Sequence, residues 1–376
     1  MREFEKTLVS NLKNEINLYH LKLEGTNAEI GYSVGCLAKG THNINRMTNI
    51  DPSKVRTQYD YLKSYYPEHY ARMTGFAQAY GVSLKDYSYD FSYFGRVPDG
   101  TACSAVYYPP ASTDTGRGYI SRNLDFSIPK DLARPSFPFK YAYLVEMRPE
   151  GCLASISLWC FDVFGLALEG INAKGLAVVH LADYDTRVDH ANLATHQTER
   201  GFNEVLPIQY LLDTCSTVGE AATALKNMEH YHVAIPTHLL VADSQGAAFV
   251  FEYSHDGTRK VFIRGNATAP LIITNFQLNR LSDSAMRKKM ESRFNENGLD
   301  RYRDLEERIR QTQLPIPEKS IQEINSAVYV CKENPGSVER TLYHCIYDTT
   351  SASVKICLLP GIQRSLSCFN KFKLLS

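Results

Sequence analysis

The chain has 376 residues, with 41 Lys and Arg against 41 Asp and Glu, 44% hydrophobic side chains and nine cysteines. A formal net charge of zero supplies no long-range field to hold a polyanion, so nucleic acid binding has no whole-chain electrostatic support. The longest apolar stretches, such as Leu158 to Leu168 interrupted by Asp162, fall short of the ~18 to 20 residues that a membrane span needs.

The opening MREFEKTLVSNLKNEINLYH carries charges throughout and has no apolar core of the kind a secretory signal requires, so a soluble, cytoplasmic protein is expected. The cysteines stand at 36, 103, 152, 160, 215, 331, 345, 357 and 368 with no CxxC pair. That spacing implies neither a disulfide framework nor a zinc site, and most of the cysteines are expected to be reduced, buried thiols. Neither His230 with His232 nor Asp183 with Asp185 has a third ligand at useful spacing, so no metal or cofactor is expected.

Two textures meet near residue 100. Before it the chain reads as helix-rich: LVSNLKNEINLYHLKLEGT ends in a Gly25-Thr26 break, NAEIGYSVGCLAKG is amphipathic, and residues 56 to 80 form a core-facing helix broken at Pro67. After it, ten runs have strand character: CSAVYY, GYISRNLDF, YAYLVEM, GLAVVHLA, HLLVADS, AAFVFEY, KVFIRG, PLIITN, TLYHCIYD and SVKICLL. Helical stretches interrupt them at 203 to 228 and 283 to 312. Many strands with few crossover helices predict an α+β fold of two stacked antiparallel sheets covered by helices.

The first two runs carry the chemistry. A turn about residues 113 and 114, rich in Pro, Asp and Gly, predicts an antiparallel hairpin whose paired numbers sum to about 227 or 228. Cys103 then lies beside Leu124 or Asp125, with Arg122 close by. A neighbouring guanidinium favours the thiolate, the reactive form of cysteine. Arg122 and Asp125 lie three apart on one strand and would face opposite ways, so both reach the thiol only if the pairing is irregular near Leu124. No histidine lies in the hairpin. An alternative base is the α-amine that cleavage between Ala102 and Cys103 would create, whose ordinary pKa of ~7.7 to 8.0 suits general base work.

TACSAVYY followed by SRNLDF resembles the start of the catalytic chain in N-terminal nucleophile (Ntn) hydrolases of the choloylglycine hydrolase and penicillin V acylase superfamily. The long preceding segment, with LEGTNAEIGYSVG and FAQAYGVSLKDY, is similar to the isopenicillin N acyltransferase-like branch. GINAKGLAVVHLA resembles a GxNEKGL strand, with Ala173 where Glu is usual. LIITNF, MESRF and TLYHCIYD resemble three further strand and arginine motifs in the same order.

The resemblance implies a four-layer αββα sandwich, with residues 1 to 102 as a removable leader and 103 to 376 as the catalytic chain. It implies Cys103 as nucleophile, Arg122 lowering the thiol pKa, Asp125 holding the α-amine, and Arg293 completing the charge network. Asn275 and the backbone N–H of Ala182 would form the oxyanion hole. The reaction implied is cleavage of a linear amide in a small N-acyl substrate, with transfer of the acyl group to an amine as the alternative. An uncleaved, inactive binding protein is the contrasting reading, and self-association into a homo-oligomer stays open. Trp159, Phe161, Phe164, Phe137, Phe139 and Tyr141 form an aromatic-rich zone suited to an acyl pocket.

Overall fold

A computed structural model describes residues 4–10, 17–41, 51–92, 101–129, 141–160, 167–186, 200–230, 236–281, 296–359 and 369–374. Strands β1 (Phe4–Ser10) and β2 (Asn17–Gly25) precede helices α1 (Asn27–Gly40), α2 (Pro52–Tyr65) and α3 (Pro67–Ala79). The helix expected to break at Pro67 is thus two helices, divided at Tyr66. Thr26 and Glu29 form a reciprocal capping box at the start of α1. Gly31 and Gly75 let α1 and α3 cross backbone on backbone. A Cβ at Gly31 would stand 1.9 Å from the Arg72 carbonyl oxygen, and one at Gly75 1.8 Å from that of Ala28.

One sheet runs β1-β2-β5-β6-β7-β8-β9-β10-β11, with β5 Tyr141–Pro149, β6 Ser155–Cys160, β7 Ala167–Asn172, β8 Ala177–Ala182, β9 Thr237–Ala242, β10 Ala248–Tyr253 and β11 Lys260–Arg264. The other runs β12-β3-β4-β14-β15-β16, with β12 Leu271–Ile273, β3 Thr101–Tyr108, β4 Tyr119–Pro129, β14 Ser337–Asp348, β15 Ser353–Leu358 and β16 Asn370–Lys373. Strand β13 (Cys331–Asn334) pairs with β14. Helices α4 (Leu206–Thr214) and α5 (Val218–Asn227) cover the nine-stranded sheet, and α6 (Glu296–Gln311) and α7 (Glu318–Ser326) cover the other. The apolar core lies between the sheets and beneath these helices, which is the expected αββα order.

Three expectations need correction. The opening segment supplies two strands as well as helices: Leu21 and Leu23 are buried while Lys22 and Glu24 are exposed, so a period of two overrides the helical reading. Because β2 joins the sheet beside β5 in parallel, that sheet is mixed. Residues before 100 therefore extend the main sheet. Cys357, expected to be reduced, is disulfide-bonded. Strand β7 escaped the ten runs because ALEGIN carries Glu and Gly, both poor strand formers. Among the described residues no helix is long and apolar enough to cross a membrane.

Candidate active site

Strands β3 and β4 form the expected hairpin, in the expected register: Ala102 pairs with Asp125, Cys103 with Leu124 and Ala105 with Arg122. Alternation then turns Cys103 and Arg122 toward the opposite sheet and Asp125 toward α6. The pairing of β3 with β4 is regular through Leu124, so the irregularity needed to bring both Arg122 and Asp125 to the thiol is absent; a bulge stands instead between β4 and its other neighbour. Thr341 pairs with Asp125 and Tyr343 with Leu124, leaving Leu342 as the extra residue of β14.

On the inner face, Arg122 Nη2 donates to Cys103 Sγ at 3.3 Å and to the His180 carbonyl at 3.2 Å, and Nη1 donates to the Tyr343 hydroxyl at 2.7 Å. Its Nε lies 2.7 Å from Glu169 Oε2, bent off hydrogen-bond alignment, so this contact is an ion pair. Tyr347 donates its hydroxyl to Glu169 Oε1 at 3.2 Å. Cys103, Arg122 and Glu169 are all fully buried. Burial pushes the Cys103 thiol above its ordinary pKa, and the opposing pull of Arg122 is the smaller effect. Arg122 thus opposes, without outweighing, the penalty that a dry environment places on the anion.

On the outer face, Asp125 meets one cation and one hydroxyl among the described residues. Arg301 Nη1 donates to Asp125 Oδ2 at 3.0 Å, and the Thr341 hydroxyl donates to Oδ1 at 2.5 Å. Burial raises the Asp125 pKa, opposed by Arg301 and then by the Thr341 hydrogen bond. Arg301 Nη2 donates to Asn275 Oδ1 at 2.8 Å, and the same oxygen accepts the backbone N–H of Cys103 at 2.7 Å. Strand β12 positions Asn275, since Ile273 pairs with Ala105 and the chain continues antiparallel toward Cys103. Asn275 Nδ2 donates to the Ala182 carbonyl at 2.8 Å.

The structure thus gathers five of the expected residues, Cys103, Arg122, Asp125, Asn275 and Ala182, around one strand end. It revises how they connect. Asp125 acts on the Cys103 nitrogen through Arg301 and Asn275. The contact seen at Ala182 is through its carbonyl, where a donating N–H was expected. Arg293 lies outside the described residues, as do Phe137, Phe139, Phe161 and Phe164. Trp159 is buried, with its indole N–H on Ser157 at 2.8 Å.

Sequence reasoning missed Arg301, Glu169, Thr341 and Tyr343. One of them left a signal. Arg301 shares a helical face with buried Gly298 and Leu305, spacings of three and four that mark a core stripe. Glu169 left none, since its strand is buried along its whole length and shows no alternation. Neither neighbouring histidine is a base at neutral pH. Burial drives the imidazoles of His180 and His344 down to about 3, and His344 has both ring nitrogens hydrogen-bonded, to Ser121 and Tyr329.

A family model described as acyl-coenzyme A:6-aminopenicillanic acid acyl-transferase matches residues 114–360. Among solved structures, a variant of conjugated bile acid hydrolase from Clostridium perfringens is similar at 14% identity and a TM-score of 0.51, covering 72% of this chain and 92% of that one. Penicillin V acylase from Agrobacterium tumefaciens is similar at 17% identity and a TM-score of 0.43, covering 68% and 82%. A Caenorhabditis elegans orthologue of N-acylethanolamine-hydrolyzing acid amidase is similar at 16% identity and a TM-score of 0.45, covering 73% and 100%. No curated protein matches the sequence. The bile acid hydrolase likeness shows the shared fold.

Proposed function

The chain belongs to the acyl-coenzyme A:6-aminopenicillanic acid acyl-transferase family of Ntn enzymes, and from that premise we propose that it is a precursor which cleaves itself before Cys103 and then acts as a cysteine amidohydrolase on small N-acyl amides. One observation carries the reading: Cys103 is held at both reactive atoms, its sulfur by Arg122 at 3.3 Å and its nitrogen by Asn275 at 2.7 Å.

Before cleavage that nitrogen is an amide without basicity. In the cleavage step Cys103 Sγ attacks the Ala102 carbonyl carbon, the Ala102–Cys103 C–N bond breaks, and the acyl group passes to sulfur as a thioester. The freed nitrogen takes the thiol proton. Water then hydrolyses the thioester, leaving the leader, residues 1–102, and a catalytic chain opening at Cys103. The leader remains docked through the nine-pair β2–β5 ladder and the buried Arg72–Asp213 ion pair at 2.6 Å.

In the mature chain the α-amine accepts the thiol proton, with Asn275 Oδ1 holding one of its hydrogens. The thiolate attacks the substrate carbonyl. Asn275 Nδ2, moving off the Ala182 carbonyl, donates to the oxyanion together with the Ala182 N–H. Collapse expels the amine, which carries away the proton, and leaves an acyl-thioester on Cys103. Water completes hydrolysis. The family's description favours a second outcome, in which an amine takes the acyl group.

Intact-mass measurement tests the reading. Two fragments divided between Ala102 and Cys103, and a single chain in Cys103→Ala, are expected. A single chain in the parent defeats the proposal in favour of an uncleaved binding protein. Incubating the processed enzyme with an N-acyl substrate, with and without an amine acceptor, separates hydrolysis from transfer by product.

A further inference from the structure

A second buried charged cluster holds the segment just past Asn275 and takes no part in the mechanism above. His238 on β9 stands between two carboxylates, with Nδ1 3.1 Å from Glu252 Oε2 and Nε2 3.6 Å from Asp183 Oδ1, all three side chains fully buried. Asp183 directly follows Ala182. Glu252, from β10, reaches the segment just past Asn275, accepting the backbone N–H of Leu278 at 3.1 Å and of Asn279 at 2.8 Å. Asp185 Oδ2 accepts the Gln277 N–H at 3.1 Å. The Gln277 side chain donates to the Tyr253 carbonyl at 2.7 Å and to Asp183 Oδ2 at 3.4 Å.

The strap from Asn275 to Asn279 is therefore gripped at both ends. Asn275 binds the Cys103 nitrogen and the Ala182 carbonyl, while the following peptide groups hang on carboxylates. Such carboxylates crowded in a dry interior repel one another unless a cation lies among them. His238 fills that place. Asp183 and Asp185 face it from the turn after β8 and Glu252 from β10, and together they outweigh burial and hold its imidazole above the ordinary pKa.

We propose that His238, with Asp183 and Glu252, is a positioning clamp that sets the strap carrying Asn275 against Ala182. The clamp rests on the reading of Asn275 as a site residue, and its own test does not require turnover. No atom of the cluster touches the nucleophile's sulfur in the contacts described, so these are positioning residues. A misplacement of the strap by about 1 Å is enough to cost ~100-fold in rate.

Hydrogen exchange read by mass spectrometry on the 271–281 peptide, alongside kcat and KM, tests this in the full-length protein. His238→Gln is expected to quicken exchange at 276–281 about tenfold while β3 and β4 keep parental protection. Its kcat is expected to fall ~10- to 100-fold with KM within about threefold. Parental exchange in His238→Gln, or equal quickening throughout both sheets, overturns the clamp. If His238→Gln does not fold, Glu252→Gln alone reads the same peptide, and unchanged exchange there overturns it equally. A parent without turnover sinks the enzymatic reading, while the exchange measurement still decides the clamp.

Discussion

Asn275 Oδ1 accepts the backbone N–H of Cys103 at 2.7 Å, so the residue expected to stabilise an oxyanion is already engaged with the nucleophile's own nitrogen. Its Nδ2 is likewise engaged, with the Ala182 carbonyl. One side chain thus links three backbone or charged partners that belong to separate strands and a helix. Its two chemical ends explain why an amide is required there: Oδ1 faces two donors and Nδ2 faces an acceptor.

Replacing Asn275 with Ala removes both ends. Turnover is expected to fall ~100-fold or more, the usual cost of one oxyanion donor. Circular dichroism should remain parental. Steady-state kinetics on the processed enzyme checks this, and a parental kcat would remove Asn275 from the mechanism.

Arg301 is the cation that Asp125 and Asn275 share. Arg301→Met leaves a buried carboxylate without its partner, which costs about 3 to 5 kcal/mol when the charge cannot be relieved. Asp125 can relieve it by taking up a proton, because burial already raises its pKa. A loss of about 2 to 3 kcal/mol is expected in urea unfolding at neutral pH. Asp125→Asn in the same chain should restore most of it; a double variant as unstable as the single one would contradict the pairing.

The thiol's titration reports the balance around Arg122. Glu169 raises the Cys103 pKa and Arg122 lowers it. Glu169→Gln should therefore shift thiolate formation to lower pH, and Arg122→Met should shift it to higher pH. Ultraviolet difference titration against Cys103→Ala measures both. Shifts in the same direction would show that the ion pair does not govern the thiol.

Acid should unfold the protein through its buried histidines. His69, His180 and His344 are pushed down to about 3 by burial, whereas an unfolded histidine titrates near its ordinary ~6.5. The unfolded chain thus binds protons first as pH falls. The stability these groups contribute is complete above ~6.5 and is lost toward about 3. Each steepens the decline by up to ~1.4 kcal/mol per pH unit. His344→Gln should flatten the slope of unfolding free energy between pH ~4 and ~6 by about that amount, measured by urea titration at several pH values.

Much of the hairpin was legible in advance. Turn residues between two short runs set the pairing of Cys103 with Leu124, because an antiparallel register follows from where the chain reverses. The bulge on β14 was not legible, because it depends on a strand more than two hundred residues away. Arg301 escaped because a surface-rich helix, RYRDLEERIR, hides one inward position among many charges. Glu169 escaped because its strand has no alternation to mark it.

Sequence alone determined the local facts: neutral charge, the hairpin, the order of the strand motifs, and the placing of Cys103 beside Arg122. Those depend on chain direction, turn chemistry and side-chain alternation, all local quantities. Tertiary structure decided the protonation and the wiring. The thiol is held above its ordinary pKa because two sheets and their covering helices exclude water from it, and Asp125 is linked to the Cys103 nitrogen through Arg301 and Asn275. Desolvation and buried charge sum over groups far apart in the chain, so no local pattern contains them.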